Sequence, residues 1–145
     1  MLKNPLFLAF LASLFFGVFM APFKLATNSG PGSDVIIFLG IGVAIVGSIW
    51  KFIEGGALSW STELMSYATS SGIIWALGCI CALMAFKSPD GHIALVTPIY
   101  NTNTLWAMAL GLIFFGEYHK VSVPYAVTGA VLITLGGGFT ALAKQ

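Results

Sequence analysis

The stretch "IALVTPIYNTNTLWAMALGLIFFG", residues 93 to 116, decides the fold. Its two ends are apolar runs that suit the interior of a membrane. Its centre, residues 97 to 104, holds a proline, a tyrosine, two asparagines and three threonines. Polar groups are costly in hydrocarbon unless they find partners. The stretch therefore predicts a membrane helix whose polar centre has a specific structural or functional role.

The composition of the whole chain supports a membrane protein. Of its 145 residues, 58% are hydrophobic and only 8% are charged, and the mean hydropathy is +0.95. A soluble domain is roughly a quarter charged. The chain is therefore predicted to be an all-α polytopic membrane protein. The net charge of +1, without a basic cluster, argues against a nucleic-acid partner.

Hydropathy predicts a single domain over residues 1–145 with five transmembrane helices in the lipid bilayer. Each apolar block approaches the roughly 20 residues that cross a bilayer. The alternation typical of a membrane barrel is not evident. The first span lacks a cleavage motif of small residues, so we expect it to be retained. The predicted spans are about 5–24, 34–50, 69–86, 92–116 and 122–142.

The segment "EGGALSWSTELMSYATSS", residues 54 to 71, fits none of these spans. It is too polar to cross a bilayer and too apolar for an ordinary loop. Trp60, Leu64 and Tyr67 favour a short helix that lies at the membrane interface. The alternative is an extension of the third helix that lines a cavity.

The lysines assign no orientation in the membrane. Alternating spans place Lys3, Lys51 and Lys120 on one face and Lys24, Lys87 and Lys144 on the other, and the chain has no arginine. The two faces carry equal numbers of lysines, so the positive-inside rule favours neither orientation. With an odd number of spans, this balance fits a chain that inserts both ways or pairs with an inverted partner. A single, weakly specified orientation is the alternative.

Small residues recur at four-residue spacing in three predicted helices. Such stripes allow close approach of helix backbones, either within one chain or between chains. They are Ala9, Ser13, Gly17 and Ala21; Gly40, Ala44 and Ser48; Ala126 and Ala130, followed by Gly137 and Ala141.

Three segments together resemble the drug/metabolite transporter superfamily: "FFGVFMAPFK" (15–24), "PIYNTNTLWAMALGLIFFGE" (98–117) and "GAVLITLGG" (129–137). The last two are similar to the closing helices of that family's five-helix unit. The family pattern has a proline early in helix four, Gly-Glu at its end and G-x-x-L-I-x-x-G in helix five. These elements match Pro98, Gly116, Glu117, Gly129, Leu132, Ile133 and Gly136; Gly17 and Lys24 match the first span.

The resemblance implies a fold and a function. Typical members carry two such units, in inverted orientation, within ten spans. A chain with one unit implies a transporter of the cell (inner) membrane that works as a homodimer, or with an inverted partner, by alternating access. The "NTNTLW" and "FFGE" segments also resemble the sugar and ureide uptake branches of the superfamily.

The polar centre of residues 92–116 supplies the candidate substrate-binding residues. On one continuous helix, five side chains share an arc of roughly 160°, with Thr102 and Trp106 on the other side. Amides and hydroxyls suit a neutral polyhydroxy or amide-bearing solute. The alternative is hydrogen bonding that holds helices together. The five are Thr97, Tyr100, Asn101, Asn103 and Thr104.

Two further residues are weaker candidates. Trp75 could stack on a substrate or simply pack. Lys24 lies a full span from Pro5, which favours an ammonium that reaches the interface. The family resemblance instead implies a cavity position for Lys24.

Other functions remain open. A small-multidrug-resistance-like exporter of drugs or cations needs a carboxylate within the first helix, and all five acids of this chain fall in loops or at span ends. A non-transporting membrane subunit would have no use for a hydrated midplane. We expect no enzyme, metal site or cofactor, because no nucleophile–base pair, metal-ligand cluster or phosphate loop is visible. The acids are Asp34, Glu54, Glu63, Asp90 and Glu117.

Overall fold

The computed structural model describes residues 4–142, which are helical and contain no strand. Lys3 and Lys144, which enter the lysine balance, lie outside the described residues. The helices in this range are α1 (Pro5–Ser29), α2 (Gly32–Glu54), α3 (Thr62–Lys87), α4 (Ile93–Tyr100), α5 (Asn103–Ile113) and α6 (Val123–Ala141), with a 3-10 turn at Glu117–His119.

Four of the described helices are long and apolar enough to cross a membrane. The protein is therefore an all-α, multi-pass membrane protein. These helices are α1, α2, α3 and α6. α1, α2 and α3 contain the first three predicted spans and extend beyond them, whereas α6 lies within the fifth predicted span and is one residue shorter at each end.

The fourth predicted span is not one helix. Residues 92–116 contain α4, of 8 residues, and α5, of 11 residues, separated at Asn101 and Thr102. Neither piece alone has the roughly 20 residues of a membrane span. The prediction of a continuous helix here is wrong, and the five-span count is not confirmed.

The separate interfacial helix predicted within residues 54–71 is also wrong. The chain leaves α2 through Gly55 and Gly56, whose φ angles of 74° and 78° favour glycine. The Ser61 hydroxyl then accepts a hydrogen bond of 3.1 Å from the Leu64 amide, which caps the start of α3. From there α3 is continuous to Lys87, so the alternative of an extended third helix describes the backbone.

The described residues form two compact units, one up to Lys87 and one from Ser88. In the first unit α1 packs on α3, and α2 has no buried residue. In the second unit α4 and α5 both pack on α6, where Ala130 and Gly137 are buried. The buried residues of the first unit are Met20, Phe23, Thr27, Cys79, Leu83 and Phe86.

Candidate functional site

The interruption between α4 and α5 is a tight turn in the backbone. The Thr102 amide donates to the Ile99 carbonyl, three residues back, at 3.1 Å. In a regular α-helix it would donate to Pro98 instead. The Thr104 amide similarly donates to the Asn101 carbonyl at 3.3 Å. The Leu105 amide also donates three residues back, to the Thr102 carbonyl at 3.0 Å. Three of the four amides from Thr102 to Leu105 thus make bonds of the 3-10 type, and the α-helical pattern is interrupted.

The side chains of the turn reinforce these shorter bonds. The Thr102 hydroxyl donates to the same Ile99 carbonyl at 2.8 Å, and the Thr104 hydroxyl donates to the Asn101 carbonyl at 2.5 Å. Thr27 makes a similar bond inside the continuous helix α1, so one hydroxyl does not break a helix. Here two such threonines alternate with two asparagines, and both residue types have low helix propensity.

α6 holds the turn through a contact that only glycine permits. A side chain on Gly137 would place its Cβ 2.7 Å from the Pro98 carbonyl oxygen and 3.3 Å from the Thr102 methyl group. The two backbones therefore approach more closely than any other residue would allow. In a regular α-helix this Pro98 carbonyl would accept a hydrogen bond from the Thr102 amide, which here donates to Ile99 instead.

The turn divides the five polar candidates of this region. Tyr100, Asn101, Asn103 and Thr104 are exposed. Thr97 is half-buried, and its hydroxyl oxygen is buried without a hydrogen-bond partner among the described residues. The predicted shared arc requires one continuous helix. The regular helical rotation from residue to residue does not hold through the turn, so the predicted arc no longer applies.

The two asparagine amides are the groups of this set that are open to a ligand. The Thr102 and Thr104 hydroxyls already donate to backbone carbonyls. The side-chain amides of Asn101 and Asn103 make no hydrogen bond to another residue in the range 4–142. Each amide can donate two hydrogen bonds and accept two. In a membrane such groups need water, a solute or another chain.

Lys24 has a partner in the first unit. Its ammonium group donates a hydrogen bond to the Phe86 carbonyl and lies 5.5 Å from the centre of the Phe86 ring. That carbonyl belongs to the last turn of α3, where a cation offsets the helix dipole. Lys87 makes a related bond, of 3.3 Å, to the Gly30 carbonyl. Lys24 thus joins α1 to the C-terminal end of α3.

Trp75, the other candidate of the first unit, lies on α3 with 41% of its surface exposed. Lys24 is also in this unit, whereas the five polar candidates are in the second unit.

The Gly-Glu pair at residues 116 and 117 follows the end of α5 at Ile113 and begins the 3-10 turn. Gly116 has a φ of 63°, a left-handed conformation that favours glycine. The chain then reverses, and the Glu117 carboxylate lies against α5 where a Cβ on Gly111 would be 2.7 Å from Oε2. Gly116 and Glu117 stand out in the sequence, and Gly137 belongs to a predicted stripe of small residues. The role of Gly111 and the partner of Gly137 depend on contacts that the sequence does not show.

The described residues contain no cluster of histidine, cysteine or acidic side chains that could hold a metal ion. No protein-family model matches this chain, and neither a curated protein nor a solved structure is significantly similar to it.

Proposed function

We propose that this chain transports a small polar metabolite, sugar-like or amide-bearing, across the cell (inner) membrane. The observation that supports the proposal is the interruption between α4 and α5. It carries two exposed amides, at Asn101 and Asn103, inside an otherwise apolar stretch. Discontinuous helices with polar groups at membrane depth are a common way to build a transporter's binding site.

The proposed mechanism is alternating access in a dimer. The resemblance to one unit of the drug/metabolite transporters supports two copies, or an inverted partner, around a shared site. The lysine balance supports the same arrangement. The amides would bind the solute in place of water, and rocking of the two subunits would expose it to each side in turn.

Uptake into proteoliposomes tests the proposal. Purified protein is assayed against a panel of sugars, amino acids and lipophilic cations. Removal of the Asn101 amide by Asn101→Ala should abolish one or two hydrogen bonds to the solute. Each hydrogen bond is worth roughly 0.5–1.5 kcal/mol. The half-saturating solute concentration should therefore increase by a factor between about three and about a hundred.

The matched control is Asn28→Ala, because Asn28 is also exposed but lies at the end of α1. This variant should transport normally. Equal losses in the two variants would contradict specific binding of the solute by Asn101. So would a loss of folded protein at Asn101→Ala with unchanged affinity in the remainder.

A further inference from the structure

A cavity of about 450 Å³ lies between α1 and α2 in the first unit. Most of its lining is apolar, with phenylalanine side chains from both helices. One carboxylate, that of Asp34, belongs to the lining as well. The principal apolar side chains are Phe19, Phe23, Phe38, Val35 and Leu39.

The cavity arises because the start of α2 is held by α3. A Cβ on Gly32 would be 2.9 Å from a Leu83 methyl group, so the first turn of α2 lies tightly on α3. The Lys87 ammonium fixes the connecting loop through the Gly30 carbonyl. α1 and α2 have few direct contacts, which leaves a wedge-shaped space between them.

The charge at this cavity is not balanced by the lysines of the first unit. The Asp34 carboxylate accepts a hydrogen bond of 3.1 Å from the neighbouring Ser33 hydroxyl. Lys24 and Lys87 donate to the Phe86 and Gly30 carbonyls instead. Within residues 4–142 no lysine forms an ion pair with Asp34. The cavity therefore combines aromatic walls with an unpaired negative charge.

We propose that this cavity binds a hydrophobic organic cation. Its volume falls in the range of small-molecule sites, which are mostly apolar with a few placed polar groups. Aromatic faces attract a cation, and the effect grows when the cation is desolvated. Asp34 supplies the opposite charge. The site is separate in sequence from the asparagines of the proposed transport function, and it does not depend on that function.

Equilibrium binding of two ions of the same shape tests the proposal. Radiolabelled tetraphenylphosphonium and tetraphenylborate carry the same four phenyl groups and opposite charges. The protein in maltoside micelles should bind the phosphonium at least about tenfold more tightly than the borate, because the Asp34 carboxylate attracts the cation and repels the anion. Equal binding of the two ions would overturn the proposal.

Asp34→Asn should weaken phosphonium binding by about ten- to a hundredfold and leave borate binding unchanged or stronger. Glu63→Gln is the matched control, because Glu63 occupies the first turn of α3 as Asp34 occupies that of α2. It should bind the phosphonium normally. The same affinity in both variants would contradict a role for Asp34.

Ala26→Phe places a ring inside the cavity and should abolish phosphonium binding while helical content is retained. Asn101→Ala should leave that binding intact, which separates this site from the transport proposal. Phosphonium binding that disappears when the micelles contain phosphatidylethanolamine would assign the cavity to a lipid and overturn the proposal.

Discussion

Gly137 determines how closely α6 can approach the interrupted segment. The residue is buried, and its backbone lies against the Pro98 carbonyl. Its two glycine neighbours are exposed, and a Cβ on either would have no atom within 4 Å. Three adjacent glycines in one helix thus have different roles, and only the middle one is required for packing.

Alanine substitutions separate these roles. Gly137→Ala should lower the free energy of unfolding by about 1–3 kcal/mol, because the new methyl group overlaps a backbone carbonyl that cannot move freely. Gly138→Ala should be neutral or raise it by up to about 1 kcal/mol through helix propensity. Thermal unfolding in detergent, followed by circular dichroism, measures both. An equal effect of the two changes would contradict the close approach.

At the scale of single residues, the sequence shows which residues are unusual for their surroundings but not which residues they contact. The polar residues of the run stand out because their surroundings are apolar. The role of Lys24 could not be predicted, because its acceptor is a carbonyl 62 residues away. The stripe of small residues includes Gly137 and predicts a close helix contact there, but its partner, the Pro98 carbonyl, is known only from the fold.

At the scale of the element, hydropathy predicts the helices that are apolar throughout. It fails where polar residues continue or interrupt a helix. Hydropathy places the start of α3 too late, because Thr62, Glu63 and the serines beyond them lower the hydropathy without ending the helix. The break after α4 was missed because a helical projection assumes that the helix continues.

The hydroxyls of Thr102 and Thr104 contribute to that break, and their removal should reduce it. In Thr102→Ala/Thr104→Ala the competing bonds to Ile99 and Asn101 are lost, and alanine favours the helix. Amide hydrogen exchange in residues 101–105 should slow by roughly fivefold for each helical hydrogen bond regained, at about 1 kcal/mol a bond.

Thr128→Ala/Thr134→Ala is the control, because these hydroxyls donate to carbonyls inside the continuous helix α6. Exchange in α6 should be nearly unaffected. Unchanged exchange at residues 101–105 in the first variant would assign the break to the asparagines or to Pro98.

At the scale of the whole molecule, the balanced lysines predict insertion in both orientations or pairing with an inverted partner. Single cysteines at positions 30 and 90, with Cys79 and Cys81 replaced by serine, report the side of each loop. Each site should be labelled from both sides of sealed vesicles. Labelling of each from one side only, with parallel subunits in a cross-linked dimer, would contradict the prediction.

Helix α2 has no buried residue among those the structure describes, although its first turn is fixed through Gly32. Beyond that glycine and the residues that line the cavity, α2 is constrained mainly by the need to stay apolar in lipid. Its other isoleucines, valines and phenylalanines can therefore be exchanged among apolar types with little cost. Gly40, Ala44 and Ser48 form a stripe of small side chains on α2, on which a second helix could pack closely. A second chain bound to that stripe would restrict substitutions at these three positions first and leave the rest of the helix free to vary.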